Sequence, residues 1–211
     1  MGFIQQFDLG RIIRDYQIRF FVETGTWKGD GVNAALSFPF DKVISAEIIP
    51  DIATAAVSRF SDQPRVTIME GSSVAMLEAW LPVLEGNCLF WLDAHFPGAD
   101  AGMSSYDAVN EEDLRLPLET ELRLIARRQG DFADVLIIDD LRVYEDGPFE
   151  NGPAPADTLP RQPRGPGFVE QLFGASHHIL KSYRNEGYWI LFPAAANGVP
   201  VPAPDELFLP A

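Results

Sequence analysis

Short apolar runs alternate with amphipathic, helix-length segments along this chain, as in βα units wound around a mostly parallel sheet. The runs predict strands near Arg19–Glu23, Lys42–Glu47, Arg65–Glu70, Cys88–Asp93, Asp134–Asp139, His178–Tyr183 and Tyr188–Phe192. Helices are predicted over Lys28–Ser37, Ile49–Phe60, Val74–Leu84 and Leu118–Gln129. In the last of these, Leu118, Glu121, Leu122 and Ile125 share one face, while Arg123, Arg127 and Arg128 fall on the solvated side. Only Asn185-Glu186-Gly187 separates the last two strands, which favours an antiparallel hairpin over another crossover. Phe96–Leu116 and the proline-rich Glu145–Gly167 take no regular pattern, and loops of that length commonly serve as lids over a site. The tail Gly198–Ala211, with Pro200, Pro202 and Pro204, is expected to be a surface strap or interface arm outside the core, and such arms are compatible with a homo-oligomer.

Composition narrows the class. A chain of 211 residues, 46% hydrophobic, can form one domain with a full core, and a single domain spanning the chain is expected. Its net charge of −15 argues against nucleic acid, whose binding draws on clustered Lys and Arg. No apolar stretch is long enough to cross a bilayer, and Met1–Asp8 lacks the basic start and apolar run of a secretory signal, so no membrane partner is expected. Cys88 is the only cysteine, which rules out an internal disulfide, suits a cytoplasmic setting and, within Asn87–Leu92, reads as a small buried hydrophobe.

The chemistry collects at strand ends, where ligands bind in open α/β sheets. Glu23-Thr24-Gly25-Thr26-Trp27-Lys28-Gly29 follows the first strand; Gly25 and Gly29 would let the backbone approach a ligand. Glu23 there would hold a cofactor ammonium or serve as a plain turn carboxylate. Glu47 closes the next strand, where an acid receives ribose hydroxyls in dinucleotide folds, or it starts a helix at the surface. In Glu70-Gly71-Ser72-Ser73 the hydroxyls would meet an adenine edge or cap the following helix. Leu92-Asp93-Ala94-His95 and Asp139-Asp140 end the fourth and fifth strands. Three carboxylates, Asp93, Asp139 and Asp140, would thus lie at one edge as hard oxygen ligands for magnesium or calcium, unless the Asp pair merely caps a turn. His95 is placed to act as a general base, as a further metal ligand or as a structural hydrogen-bonding group.

Five parallel strands followed by a hairpin point to the Rossmann-like, seven-stranded sheet of class I methyltransferases, with helices on both faces. Glu23–Gly29, the Glu47 strand end, Trp91–His95 and Ile138-Asp139-Asp140 resemble, in order, S-adenosylmethionine-dependent O-methyltransferases of the macrocin O-methyltransferase group. The resemblance spans roughly Phe20–Leu141 and implies a cofactor site at Glu23, Gly25, Thr26, Gly29, Glu47, Gly71, Ser72, Ser73 and Asp93. It also implies magnesium or another divalent cation on Asp93, Asp139 and Asp140 beside a small-molecule hydroxyl acceptor; the residues themselves put His95 and Asp93 forward as the catalytic pair. The chain differs from the group in having only Met1–Ile18 ahead of its first strand and a long Phe96–Leu116 segment, so the resemblance does not carry the acceptor with it. Two other readings compete. Asp93-Ala94-His95 matches the metal signature of some nucleotide-sugar glycosyltransferases, and the fold would also serve a non-catalytic S-adenosylmethionine-binding module.

Overall fold

The computed structural model describes residues 3–99, 102–161, 165–194, 196 and 198–210. Strands β1 (Phe20–Thr24), β2 (Lys42–Glu47), β3 (Val66–Glu70), β4 (Cys88–Leu92), β5 (Val135–Ile138), β6 (His177–Ser182) and β7 (Tyr188–Pro193) form one seven-stranded sheet in the order β3-β2-β1-β4-β5-β7-β6. Every pair is parallel except the two that involve β7, so the expected mixed Rossmann-like sheet with a terminal hairpin is present. The central strands β1, β4 and β5 are buried throughout, which is why their sequences read as near-continuous apolar runs.

Side chains alternate between two cores. Val22, Phe90, Leu136 and Trp189 face one layer with α4 (Ser73–Trp80), α6 (Leu118–Ile125) and α7 (Gly167–Phe173). Their neighbours Phe21, Leu89, Ile137 and Tyr188 face the other, with α1 (Leu9–Asp15) and α2 (Asp30–Ala35). The remaining helices are α3 (Pro50–Arg59) and the single turn α5 (Glu112–Arg115). Chain order reverses between β1 and β4, so a crevice opens there at the carboxyl ends of the strands. No helix among the described residues is long and apolar enough to cross a membrane.

Several elements depart from the sequence-based expectation. Helix α1 lies in Met1–Ile18, where no helix is predicted: Asp8 caps it by accepting from Arg11 N at 2.9 Å, and Leu9 and Ile12 are buried. Pro82 stops the predicted Val74–Leu84 helix, which ends at Trp80 and continues as a 3₁₀ turn over Leu81–Val83. Arg128 is buried rather than solvated. Its guanidinium pairs with Asp134 at 2.8 Å and donates to the carbonyls of Leu81, Leu84 and Gly86. The tail is not a surface strap over its whole length either. Leu207 and Phe208 enter the core, Phe208 pairs with Phe7 in an antiparallel bridge, and their ring centroids are 4.6 Å apart.

Candidate active site

The turn after β1 is built around close approach to β4. Gly25 has φ +85°, and a Cβ there would lie 2.8 Å from the Asp93 carbonyl oxygen, so the residue must be glycine for both reasons. Its amide and that of Thr26 donate to the Ala46 carbonyl at 3.1 and 3.0 Å, tying the turn to β2. Glu23 is 2% exposed, accepts from Ser45 Oγ at 2.6 Å, and packs so closely under α2 that a side chain at Gly31 would overlap it. Burial, followed by the nearby charges of Glu47 and Asp30, outweighs the Ser45 hydrogen bond and pushes its pKa up to about 8.

Glu47 joins two turns. One of its oxygens accepts from Trp27 N and the other from Ile49 N, both at 2.9 Å. Gly71 N donates to the Glu47 carbonyl at 2.8 Å, and Ser72 Oγ accepts from Ala75 N at 3.2 Å as the N-cap of α4. Glu23, Gly25, Thr26, Glu47, Gly71, Ser72, Ser73 and Asp93 all line one cleft of about 470 Å³. Gly29, the remaining residue expected at the cofactor, sits behind this lining, with its amide on the Thr26 carbonyl at 2.8 Å.

At the other end of the cleft the acids of β4 and β5 meet. His95 Nε2 lies 2.8 Å from Asp140 Oδ2, and its Nδ1 lies 3.5 Å from Asp93 Oδ1. Donor atoms of Asp93, His95 and Asp140 all fall within 4.8 Å of one another, a spacing suited to one metal ion. Asp139, expected in that set, does not join it. Its buried carboxylate accepts from Asp140 N at 2.8 Å, while Asp140 takes a left-handed φ of +57° that turns its side chain to His95.

Charges in this cluster oppose one another. Burial, then the Asp139 carboxylate, raises the Asp93 pKa far above the usual range, with His95 opposing. Burial likewise, then Asp140, raises Asp139 to about 7. Burial alone would lower His95, but Asp140, Asp93 and Asp139 together raise it to about 10. Asp140 runs the other way: burial would raise its pKa, yet His95 and Arg142 hold it below the ordinary carboxylate value.

Sequence reasoning missed several residues here. Glu121, which α6 presents from its buried face, is 1% exposed, and its Oε1 has no hydrogen-bond partner. Burial lifts its pKa to about 7, against the hydroxyls of Ser73 and Thr24 that favour the charged form. An acid amid Leu118, Leu122 and Ile125 was the available signal. Arg142 holds Asp140 Oδ1 at 3.3 Å and reaches Glu186 at 3.8 Å. Tyr106, Glu111, Asp113, Pro155 and Thr158, from the two long loops, complete the cleft, so both loops do flank it.

No family model matches the sequence, and no curated protein does. Solved structures do match in fold. An S-adenosylhomocysteine-bound methyltransferase from Podospora anserina superposes with a TM-score of 0.54 at 14% identity, over 86% of this chain and 74% of that one. The fold is that of the class I methyltransferases. A putative caffeoyl-CoA O-methyltransferase from Staphylococcus aureus gives 0.54 at 14% identity, covering 88% and 81% of the two chains. An O-methyltransferase from Bacillus cereus in complex with S-adenosylhomocysteine gives 0.51 at 18% identity, over 88% and 78%. Within this methyltransferase fold, the cleft described above occupies the switch point between β1 and β4.

Proposed function

We propose that the chain is an S-adenosylmethionine-dependent, divalent-metal-assisted O-methyltransferase acting on a hydroxyl of a sugar, glycoside or small natural product. One observation carries this reading: the Gly25 turn packs directly on the Asp93 backbone, so the cofactor-side turn and the Asp93–His95–Asp140 cluster form two ends of one cleft. Methyltransferases bound to S-adenosylhomocysteine among the solved structures of this fold support it. They do not favour glycosyl transfer or a binding-only module.

In this reading Glu23 receives the cofactor ammonium, Glu47 the ribose hydroxyls, and Ser72 and Ser73 the adenine edge. Each Glu47 oxygen is used once by a backbone amide and keeps a second lone pair for a hydroxyl. Gly25, Thr26 and Gly71 bring backbone to the ligand without side-chain bulk.

The donor set of Asp93, Asp140 and His95 fits a small hard cation, two carboxylates and one imidazole within 4.8 Å, with Asp139 adding negative field from behind. A bound cation would act there as a Lewis acid on the acceptor hydroxyl. Asp93, whose backbone is fixed against Gly25, would orient that group, and His95 would either hold the cation or take the acceptor proton, not both through one ring nitrogen. Glu111 and Asp113 line the acceptor side and the Arg142 guanidinium is already engaged, which favours an uncharged acceptor over an anionic one. Calorimetry with S-adenosylhomocysteine, followed by turnover on an acceptor panel with and without chelator, tests the proposal. Absence of cofactor binding would end it, and undiminished turnover after chelation would remove the metal.

A further inference from the structure

Two arginines cross between the long loops, and each ends on the backbone of the opposite one. Arg115, at the end of α5, is 1% exposed although it belongs to a surface loop. Its Nε donates to the Tyr106 carbonyl at 2.8 Å within its own loop. Its Nη2 leaves that loop, donating to the carbonyls of Asp157 at 2.6 Å and Leu159 at 3.1 Å. Arg161 returns the exchange: its Nη1 donates to the Asn110 carbonyl at 2.8 Å and its Nη2 to the Asp107 carbonyl at 2.7 Å. Glu112 touches both, 3.4 Å from Arg115 Nη1 and 3.5 Å from Arg161 Nη1, and it accepts from the Arg161 amide at 2.9 Å. Beneath them the Arg115 guanidinium lies 5.0 Å from the centroid of Phe96.

We propose that segments 102–116 and 155–161 form one jointly clasped wall of the cleft, with Arg115 and Arg161 as its positioning residues. That this wall faces the acceptor rests on the methyl-transfer reading; the clasp itself does not. The clasped carbonyls flank wall residues directly. Tyr106 is both clasped and cleft-lining, Thr158 lies between Asp157 and Leu159, and Glu111 and Asp113 flank Glu112. Guanidinium suits the role because its planar fork satisfies several carbonyls at once, which a lysine ammonium on a flexible stem cannot reproduce. The apolar support under 102–116 is small, namely Phe96, Leu116 and Val143 with Ala99, Tyr106 and Tyr144 beside them, whereas 145–151 is held separately by Phe149 in the main core and by the Glu150 and Asn151 amides on the β6–β7 hairpin, so the polar exchange sets where 102–116 and 155–161 stand. Neither loop can then move off the cleft without stripping hydrogen bonds from the other.

Hydrogen exchange on the full chain tests this without any acceptor. Arg161→Ala is the main variant, because this side chain is 37% exposed and its loss leaves the core intact. The expected result is an exchange rate raised about tenfold or more in both 102–116 and 155–161, with the strands of the sheet unchanged. Arg161→Lys should restore only part of the protection, and Arg115→Lys should loosen the 155–161 backbone although the substitution lies in the other loop. A rise confined to the segment that carries each substitution would overturn the proposal, as would full protection in Arg161→Lys. S-adenosylhomocysteine affinity should stay within about twofold in Arg161→Ala, since the cofactor-side residues are untouched. If the unaltered chain fails to bind S-adenosylhomocysteine, the methyltransferase reading fails, while exchange in the unliganded variants still decides the clasp.

Discussion

His95 Nε2 sits 2.8 Å from Asp140 Oδ2, a charge-assisted hydrogen bond between the residues that follow β4 and β5. Asp140→Asn keeps the shape of this contact and removes its charge. Magnesium affinity measured by calorimetry should fall about 10- to 100-fold, with chelator-sensitive turnover falling alongside it and the thermal midpoint little changed. Equal magnesium affinity in variant and parent would show that Asp140 is not a ligand.

Glu47 reports on the cofactor end of the cleft. Glu47→Ala removes the acceptor of the Trp27 and Ile49 amides as well as the proposed ribose contact. S-adenosylhomocysteine binding should weaken by at least about tenfold, and stability should drop by about 1–2 kcal/mol. Unchanged affinity by calorimetry would exclude the ribose assignment even if the stability loss appeared.

Glu121 gives a pH signature. Its carboxyl releases a proton near 4.5 when unfolded but near 7 in the fold, so the native state holds more proton between those values. Stability from this group is therefore full below about pH 4.5, declines as pH rises to about 7, and is level above. Glu121→Gln should remove a penalty on the order of 3 kcal/mol at pH 8 and flatten that part of the profile. Denaturant unfolding of both proteins at pH 5 and pH 8 provides the check; a constant difference between them across pH would contradict the burial effect.

Gly25→Ala should be severe, because its Cβ meets the Asp93 carbonyl at 2.8 Å and its φ of +85° strains any other residue. A loss of about 2–4 kcal/mol is expected, together with weaker binding of cofactor and magnesium, since both ends of the cleft share this contact. Preserved magnesium affinity in a folded variant would separate the two ends.

The sheet was readable because β4 and β5 are apolar without a break and an acid stands at or beside the end of β1, β2, β4 and β5, at Glu23, Glu47, Asp93 and Asp139. The short helices α1 and α7 were not, since seven residues carry too little periodicity to stand out from a loop. Spacing along the chain likewise could not decide which of Asp139 and Asp140 turns toward His95. That depends on a left-handed backbone at Asp140, two residues past the last β5–β7 pair, Ile138 with Trp189. Arg128 looked solvated because its partner Asp134 stands at the mouth of the following strand, and a pairing across that turn leaves no helical pattern.

The Phe7–Phe208 bridge also has a consequence for biosynthesis. Asp8 N donates to the Leu207 carbonyl and Leu209 N to the Gln6 carbonyl, while Phe3, Ile4 and Gln5 line the cleft. A ribosome delivers residues 3–8 long before their partners, so this edge of the binding surface stays unsupported until residues 207–209 have emerged. Cofactor cannot meet a finished pocket before residues 207–209 have been translated.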